Sequence, residues 1–399
     1  MSTVRTGLDR LVADGFGGLQ GAKVGILGHQ PSVDARLRHI VPLAMGAGLK
    51  LEALFGPEHG LDGAAQDMED VPDGMTDFDR RTGARSYSLY GSTEDSLRPT
   101  KAMLEGVEVL LIDLQDVGAR YYTYAATMGF AMQTAAETGT KVLVLDRPNP
   151  LGGLESQVEG GAIHEGFFSF VGAFSMPIRH GLTIGEYARW LQKYEGIDCD
   201  LHVVQMEGWR REMAFEDTGL PWVMPSPNMP TNDTAWIYPG QCLLEGTNLS
   251  EGRGTTRPFE LCGAPYLDGA SWAVRAQPDV GPGITLRPTQ IKPMFQKHGG
   301  ESCGAVQIHV TDRPAVRSLR LSTALMVAAR ALAPNAFGWR TDAYEFVKDQ
   351  LAIDLLYGSD VPRKMIEAGA DVDAIMETFE PERARLVEQR RDVLLYPEG

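Results

Sequence analysis

The sequence predicts an α/β protein in which a Rossmann-like parallel sheet carries helices on both faces and a smaller C-terminal α/β domain follows. Short apolar strands alternate with helical segments in the N-terminal part, which is typical of βαβ units and of a parallel sheet covered on both faces. A long loop-rich stretch then leads to a second, shorter alternation. We therefore predict two domains. The first covers residues 1–260 and includes the long loops that are expected to form an active site. The second, smaller domain covers residues 261–399 and is expected to close a cleft against the first.

Apolar periodicity predicts the N-terminal elements in order. The predicted strands are 23–28, 51–55, 109–112 and 142–145, and the predicted helices are 4–16, 33–47, 94–104 and 121–137. The acidic segment 63–85 is rich in Gly, Asp and Thr without periodicity, which predicts a long loop over the strand ends. A helix at 184–194 and a strand at 201–205 are expected to return to the same sheet.

The C-terminal half begins with an irregular region at 219–265, and a loop-rich stretch of that length in a compact protein is usually functional or disordered. Its Trp, Met and Leu content disfavours disorder. Beyond it, the predicted elements of the smaller unit are a strand at 305–310 and helices at 316–332, 343–351 and 382–391.

Composition restricts the classes of partner. The formal charge of -16 disfavours nucleic acid, because affinity for a phosphate backbone comes mainly from Lys and Arg. It also disfavours docking on an anionic membrane surface. The four cysteines form no C-x-x-C pair, so neither a zinc site nor a disulfide framework is expected.

The first residues contain no apolar secretory segment, and the chain has no apolar run of about 18 residues. A cytoplasmic location is the expectation, with a periplasmic or secreted one if a leader is missing from this sequence. A homodimer stays open.

Four predicted strands end in chemically capable residues, and ligands bind at the carboxyl ends of strands in an open parallel sheet. The strongest signal is Glu58-His59 in the run Gly-Pro-Glu-His-Gly, because a protonated glutamate can serve as a general acid. The alternative is a structural turn in which Glu58 caps a helix. The next strand ends run into the segments 113–120 and 146–150, where Asp–Arg pairs could equally lock the turns.

Further candidates lie in the Tyr-rich segment after the third of these strands and in the long irregular region. Tyr122 could meet the apolar face of a sugar ring, and His180 is either functional or a satisfied structural group. Glycines near Arg253 would let the backbone approach a ligand closely. The predicted binding residues are Arg120, Tyr122, Arg147, Asn149, His180, Asn228, Asn248, Glu251 and Arg253.

Several familiar sequence motifs are absent. The first strand is not followed by G-x-G-x-x-G, so a dinucleotide is not supported, and there is no Walker A, G-x-S-x-G or H-E-x-x-H motif. Acid–base chemistry by carboxylates remains, and neither a cofactor nor a metal is expected.

The motifs together resemble one family, the NamZ-type exo-β-N-acetylmuramidases of bacterial cell-wall recycling. The resemblance extends from about residue 24 to the C-terminus, and its matching segments are 55–60, 115–124, 146–153, 225–231 and 245–256. It implies a Rossmann-like catalytic domain and a smaller domain with a cleft between them. It also implies release of terminal β-linked N-acetylmuramic acid from the non-reducing end of a sugar chain derived from peptidoglycan, and a catalytic glutamate at Glu58.

One segment departs from the family pattern. The first strand ends in Gly28-His29-Gln30-Pro31-Ser32, where the family usually has a Thr-Asn-Pro-Ser run, and this difference could alter substrate contacts there.

The hypothesis is thus a glycoside hydrolase with Glu58 as general acid, His59 beside it, and Asp116 or else Glu251 as the second group. Attack by the substrate's own N-acetyl group stays open. An arginine should meet the lactyl carboxylate of the sugar bidentately, and Arg120, Arg147 and Arg253 are the candidates. We expect Glu58 to lie near Asp116, Arg147 and Asn248.

Three alternatives remain. The chain could be a non-catalytic sugar- or peptidoglycan-binding protein on a Rossmann-like scaffold. It could be a metal-dependent hydrolase that uses Glu58, His59, Asp113 and Asp116, although histidines are few. It could also be an NAD-dependent glycosidase.

Overall fold

A computed structural model describes residues 3–66, 68–71, 73 and 77–398 of the chain. Its larger sheet is parallel throughout and has the strand order β3-β2-β1-β4-β5-β6, which is the classical Rossmann order. The strands are β1 (Lys23–Gly28), β2 (Lys50–Gly56), β3 (Arg85–Ser88), β4 (Val109–Asp113), β5 (Lys141–Leu145) and β6 (Leu201–Val204). The predicted parallel sheet is confirmed, and the strand expected at 201–205 does return to it.

The helices of the first part differ from the predicted ones in position and in length. They are α1 (Gly7–Ala13), α2 (Ile40–Gly46), α3 (Asp77–Thr82), α4 (Tyr124–Thr138) and α5 (Ile184–Tyr194). The helix predicted from residue 33 begins only at Ile40, because Leu37 has a left-handed φ of 60°. The helix predicted at 94–104 is wrong: only Glu94–Leu97 forms a 3-10 turn, which Pro99 prevents from continuing.

The segment predicted as a long loop at 63–85 is regular at its C-terminal end, where α3 forms and β3 begins. Residues 67, 72 and 74–76 of that segment lie outside the described residues.

The second part of the chain builds a separate three-stranded antiparallel sheet of order β7-β9-β8. The strands are β7 (Leu261–Ala264), β8 (Ile284–Ile291) and β9 (Cys303–Val310). The remaining helices are α6 (Asn232–Gln241), α7 (Gly269–Ala276), α8 (Ser318–Leu332), α9 (Ala352–Tyr357), α10 (Val361–Ala368), α11 (Val372–Glu377) and α12 (Glu380–Arg391). The predicted smaller α/β unit is confirmed.

Two predictions about this part are wrong. The region 219–265 is not irregular throughout, since it contains α6 and a 3-10 turn at Cys242–Gly246. The segment 343–351 is not a helix, because Glu345 and Phe346 have left-handed φ values of 45° and 71° and Tyr344 pairs with Val347 across a tight turn.

The largest hydrophobic core includes residues of both parts, such as Val144 of β5, Trp272 of α7 and Leu325 of α8, which are fully buried. The two sheets therefore share one core, and the predicted boundary at residue 260 stays a prediction. All four cysteines are buried and free. Among the described residues no helix is long and apolar enough to cross a membrane.

Asp146, at the end of β5, joins the first sheet to the end of the chain. Its Oδ1 accepts hydrogen bonds from the backbone N–H groups of Arg147 and Gly185, at 3.0 and 2.8 Å. Its Oδ2 accepts hydrogen bonds from the hydroxyls of Thr183 and Tyr396, at 2.8 and 2.7 Å. Burial raises the pKa of Asp146 to about 7, although these hydrogen bonds oppose the shift.

We expect Asp146→Asn to change how stability depends on pH. A carboxyl whose pKa is about 7 when folded and 3.8 when unfolded holds its proton only in the folded state between those values. Its contribution is therefore fully present below pH 3.8 and is lost as the pH rises toward 7. The asparagine cannot ionise, so the variant lacks this pH dependence. Between pH 3.8 and 7 the free energy of unfolding, measured with urea, should fall more in the wild type than in the variant, by up to about 4 kcal/mol.

The matched control is Asp392→Asn, which changes an exposed carboxylate and should leave the wild-type pH dependence intact above pH 4.5. Equal pH dependence in wild type and Asp146→Asn would contradict the prediction.

Candidate active site

A pocket lies where the ends of β2 and β4 meet the second part of the chain. The residues that line it are buried, and ligand sites are likewise enclosed. The wall combines carboxylates, tyrosines, one arginine and small polar groups. The described residues that line it are Glu58, His59, Tyr121, Tyr122, Thr123, Tyr124, Val171, Ser226, Asn228, Tyr238, Glu245, Arg253, Phe259, Tyr344 and Glu345.

Glu58 follows β2 by two residues and is buried in the wall of this pocket. Its Oε2 accepts a hydrogen bond of 2.6 Å from the hydroxyl of Thr123, the residue that precedes the first turn of α4. The positive end of the α4 dipole therefore lies beside the carboxylate. The tight turn after β2 brings residue 61 so close to Gly56 that a Cβ there would lie 2.7 Å from a backbone nitrogen.

His59 has a left-handed backbone with φ of 70°, which is uncommon for a residue other than glycine. Its Nδ1 lies 2.8 Å from the carbonyl oxygen of Ala65, which can only accept, so Nδ1 carries the proton. Such strained conformations persist where the surrounding structure enforces them, often at functional sites.

Tyrosine side chains form one wall of the pocket. The ring of Tyr122 packs edge-on against Tyr124 and Tyr238, with centroid distances of 4.8 and 5.5 Å. Burial raises the pKa of these three phenols, so each remains a neutral hydroxyl. Aromatic faces with polar ends suit a sugar ring, which is apolar on its faces and polar at its edge.

The second part of the chain contributes charged residues to the lining. Glu245 accepts hydrogen bonds of 2.8 Å from both the Arg253 guanidinium and the Tyr344 hydroxyl, one on each carboxylate oxygen. Glu345 accepts a hydrogen bond of 3.2 Å from the Tyr90 hydroxyl. Groups from both predicted domains thus line a common pocket.

Five of the predicted site residues lie together in this wall, namely Glu58, His59, Tyr122, Asn228 and Arg253. The other seven lie outside the lining that the described residues form: Asp116, Arg120, Arg147, Asn149, His180, Asn248 and Glu251. Asp116, Arg147 and Asn248 were expected to lie near Glu58, but none of them lines this pocket.

Asp116 and His180 form a buried pair behind the tyrosine wall. Asp116 Oδ2 accepts a hydrogen bond of 2.5 Å from the backbone of Gly118 and lies 3.3 Å from His180 Nε2. His180 Nδ1 accepts a hydrogen bond from the Leu182 backbone, so its proton is on Nε2, facing Asp116. This arrangement fixes the turn between β4 and α4.

Two of the three predicted arginines are committed to the protein itself. Arg147 forms a bidentate pair with Asp113, at 2.5 and 2.8 Å, and both side chains are buried. Burial raises the pKa of Asp113 although Arg147 opposes the shift. Arg120 donates to the backbone carbonyls of Gly161, Met176 and Leu356.

The remaining predicted residues also hold loops. The amide of Asn149 bonds the backbone of Leu182 and Leu151. Asn248 binds the backbone near residues 336–338 through both ends of its amide. Glu251 pairs with Lys297 at 3.0 Å. Burial is the largest single effect on its pKa and raises it, but Lys297 and Arg253 together outweigh burial, so the pKa is lowered.

His29, where the sequence departs from the family pattern, joins the ends of β1 and β4. Its Nε2 accepts a hydrogen bond of 2.8 Å from the Gln115 backbone N–H. Ser32, in the same turn, donates to the carbonyl of Asp113. Burial lowers the pKa of His29 well below its usual value, so the ring is neutral.

Sequence reasoning missed several residues of the wall, chiefly Thr123, Tyr238, Glu245, Tyr344 and Glu345. Thr123 and Glu245 lie inside segments already singled out, so their motifs carried the signal. Tyr344 and Glu345 gave none, because the segment was wrongly predicted to be a helix. In the part of the chain that the structure describes, no group of three or more His, Cys, Asp or Glu side chains is arranged to hold a metal ion.

Comparisons with known proteins match the whole chain. Residues 24–233 match the family model for the N-terminal domain of the exo-β-N-acetylmuramidase NamZ, and residues 236–396 match the model for its C-terminal domain. The chain is 40% identical over 394 residues to the peptidoglycan β-N-acetylmuramidase NamZ of Bacillus subtilis, covering 98% of this chain and 91% of that protein.

Two crystal structures of DUF1343 family proteins from Bacteroides fragilis have the same fold. One has a TM-score of 0.86 at 32% identity, covering 99% of both chains. The other has a TM-score of 0.77 at 27% identity, covering 100% of both chains.

We expect Arg147→Met to lower the free energy of unfolding by about 3–5 kcal/mol, because it leaves the Asp113 carboxylate buried without its partner. Urea denaturation measures this loss. The matched control is Arg391→Met, which removes an exposed pair with Glu155 and should cost at most about 1 kcal/mol. A similar small effect for both variants would contradict a structural role for Arg147.

Proposed function

The chain belongs to the exo-β-N-acetylmuramidase NamZ family, and from this premise we propose that it is a glycosidase that releases terminal β-linked N-acetylmuramic acid from the non-reducing end of peptidoglycan fragments. The observation that carries the assignment to this pocket is Glu58: a buried carboxyl at a strand end, held by Thr123 and surrounded by tyrosines.

In the proposed reaction Glu58 is the general acid. Its proton passes to the glycosidic oxygen as the bond from that oxygen to C1 breaks, and positive charge develops on the sugar ring. The hydroxyl of Thr123 holds one carboxyl oxygen and thereby orients the other. Water finally supplies a hydroxyl to C1, and its remaining proton returns to a carboxylate.

For the second group the pocket favours Glu245 over Asp116 and Glu251. Asp116, beside Gly118 and His180, and Glu251, paired with Lys297, are not among the residues that line the pocket. Glu245 lies in the wall and forms an ion pair of 2.8 Å with Arg253. Its anion would stabilise the positive charge on the ring, whether water, a carboxylate or the substrate's own acetamido group attacks C1.

Among the three predicted arginines, Arg253 is the one favoured to bind the lactyl carboxylate of the substrate. It lines the pocket, where it also pairs with Glu245, whereas Arg120 and Arg147 are not among the lining residues. An arginine can recognise a carboxylate with two parallel hydrogen bonds.

The cytoplasmic location and a homodimeric assembly stay predictions.

The general acid is tested with Glu58→Gln and the disaccharide in which N-acetylmuramic acid is β-1,4-linked to N-acetylglucosamine, because a sugar alkoxide leaves poorly without a proton. We expect turnover to fall about 10²–10⁴-fold, because glutamine has the shape of the acid but no proton to transfer. The matched control is Glu52→Gln, which changes a partly exposed glutamate further back in the same strand and should retain wild-type turnover. Unchanged turnover in Glu58→Gln would remove Glu58 from the chemistry.

Sugar specificity is tested with Arg253→Lys. Lysine keeps the charge but lacks the planar fork, so the ratio of kcat/KM for the muramide to that for the matching N-acetylglucosaminide should fall about tenfold. Because this ratio does not depend on the fraction of folded protein, it separates recognition from stability. Arg257→Lys, at an exposed position in the same loop, should leave the ratio unchanged. An unaltered ratio in Arg253→Lys would contradict the assignment.

A further inference from the structure

A surface loop next to the pocket, residues 292–301, presents two apolar side chains to solvent. Met294 is 76% exposed and Phe295 is 50% exposed, and we name this pair the Met294–Phe295 platform. Adjacent exposed apolar residues on a soluble protein often mark a site of contact.

The loop is held in a defined shape. It is closed by a hydrogen bond from the Gly300 backbone N–H to the Pro293 carbonyl. Gln296 and His298 both have left-handed backbones, with φ of 63° and 59°. Left-handed residues other than glycine cost free energy and persist only where other contacts enforce them. The apolar pair is therefore displayed by a strained loop.

The contacts that enforce the loop come from the segment that supplies the charged wall of the pocket. Lys297 donates to the carbonyls of Leu244 and Leu249 and to the carboxylate of Glu251. His298 Nε2 donates to the carbonyl of Asn248 at 2.7 Å. The loop is thus attached along residues 244–251.

The platform itself adjoins the residue after Arg253. The Met294 backbone N–H donates to the Gly254 carbonyl at 2.9 Å. A Cβ on Gly254 would lie 2.7 Å from the backbone N and O of Phe295, so glycine permits this approach. Arg253 lines the pocket, and the platform lies against the neighbouring residue at the surface.

We propose that the Met294–Phe295 platform binds the apolar face of the leaving sugar, the ring on the reducing side of the bond that is cleaved. This inference rests on the proposed function. The proposed action on a chain end places one terminal sugar in the pocket, whose lining residues are buried, so the next ring lies outside it. The C–H groups on one face of a pyranose pack well on an aromatic ring, and a flexible thioether adapts to the remaining shape.

The test compares two substrates that differ only in the leaving group. One is the disaccharide in which N-acetylmuramic acid is β-1,4-linked to N-acetylglucosamine. The other is β-N-acetylmuramyl fluoride, whose leaving group is a single atom and cannot reach the platform. The variant is the double substitution Met294→Ser, Phe295→Ser, and the matched control is Val274→Ser, which removes an apolar side chain that is 77% exposed on α7.

We expect the double variant to lose about tenfold in kcat/KM for the disaccharide, mainly through KM, and to stay within about twofold of wild type on the fluoride. Val274→Ser should match wild type on both substrates. Equal losses on both substrates would overturn the proposal, because the platform would then shape the pocket itself. Unchanged kinetics on both would overturn it as well.

Two other results would each count against the proposal in a different way. A wild-type dimer in sedimentation that the double substitution dissociates would overturn the proposal, because a second copy of the chain would then cover the platform. A wild-type protein inactive on both substrates would contradict the proposed function, and the inference would fail with it.

Discussion

The site depends on the position of β1 between β2 and β4 in the parallel sheet. This order places the ends of β2 and β4 on either side of β1, and the hydrogen bond from Gln115 to His29 ties the ends of β1 and β4 together. Thr123, carried by the turn after β4, can then reach Glu58 after β2. Without that strand order the two groups would belong to separate surfaces.

Most of the other charged residues at the strand ends hold this edge in shape. Asp113 and Arg147 neutralise one another, Asp146 binds four donors, and Asp116 fixes the turn before α4. Buried charges need such partners, since an unpaired ion in a low-dielectric interior is costly. Most polar groups at this edge of the sheet therefore stabilise the fold, and only a few of them face the pocket.

The sequence was sufficient for features that depend on local pattern and insufficient for those that depend on distant contacts. The parallel strands, α5 and Glu58 follow from periodicity and from one contiguous motif. β8 was missed because Pro288 and alternating polar residues conceal an edge strand, a position where proline is tolerated. Tyr344 and Glu345 were missed because a left-handed turn has no apolar period.

A similar limit applies to the choice between function and structure at each strand end. The sequence offered Arg120, Arg147 and Arg253 as equal candidates for an anion, and it did not indicate that Asp113 pairs with Arg147. Which arginine is already neutralised depends on side-chain contacts between segments far apart in sequence, as with Arg147 and Asp113. No spacing rule reports those contacts.

The hydrogen bond from Tyr396 to Asp146 has a consequence for the order of events during synthesis. Domains generally fold from the N-terminus as the chain emerges from the ribosome. Here the end of β5 lacks one of its hydrogen-bond donors until residue 396 has been made. Asp146 therefore gains this hydrogen bond only after 250 further residues have been synthesised.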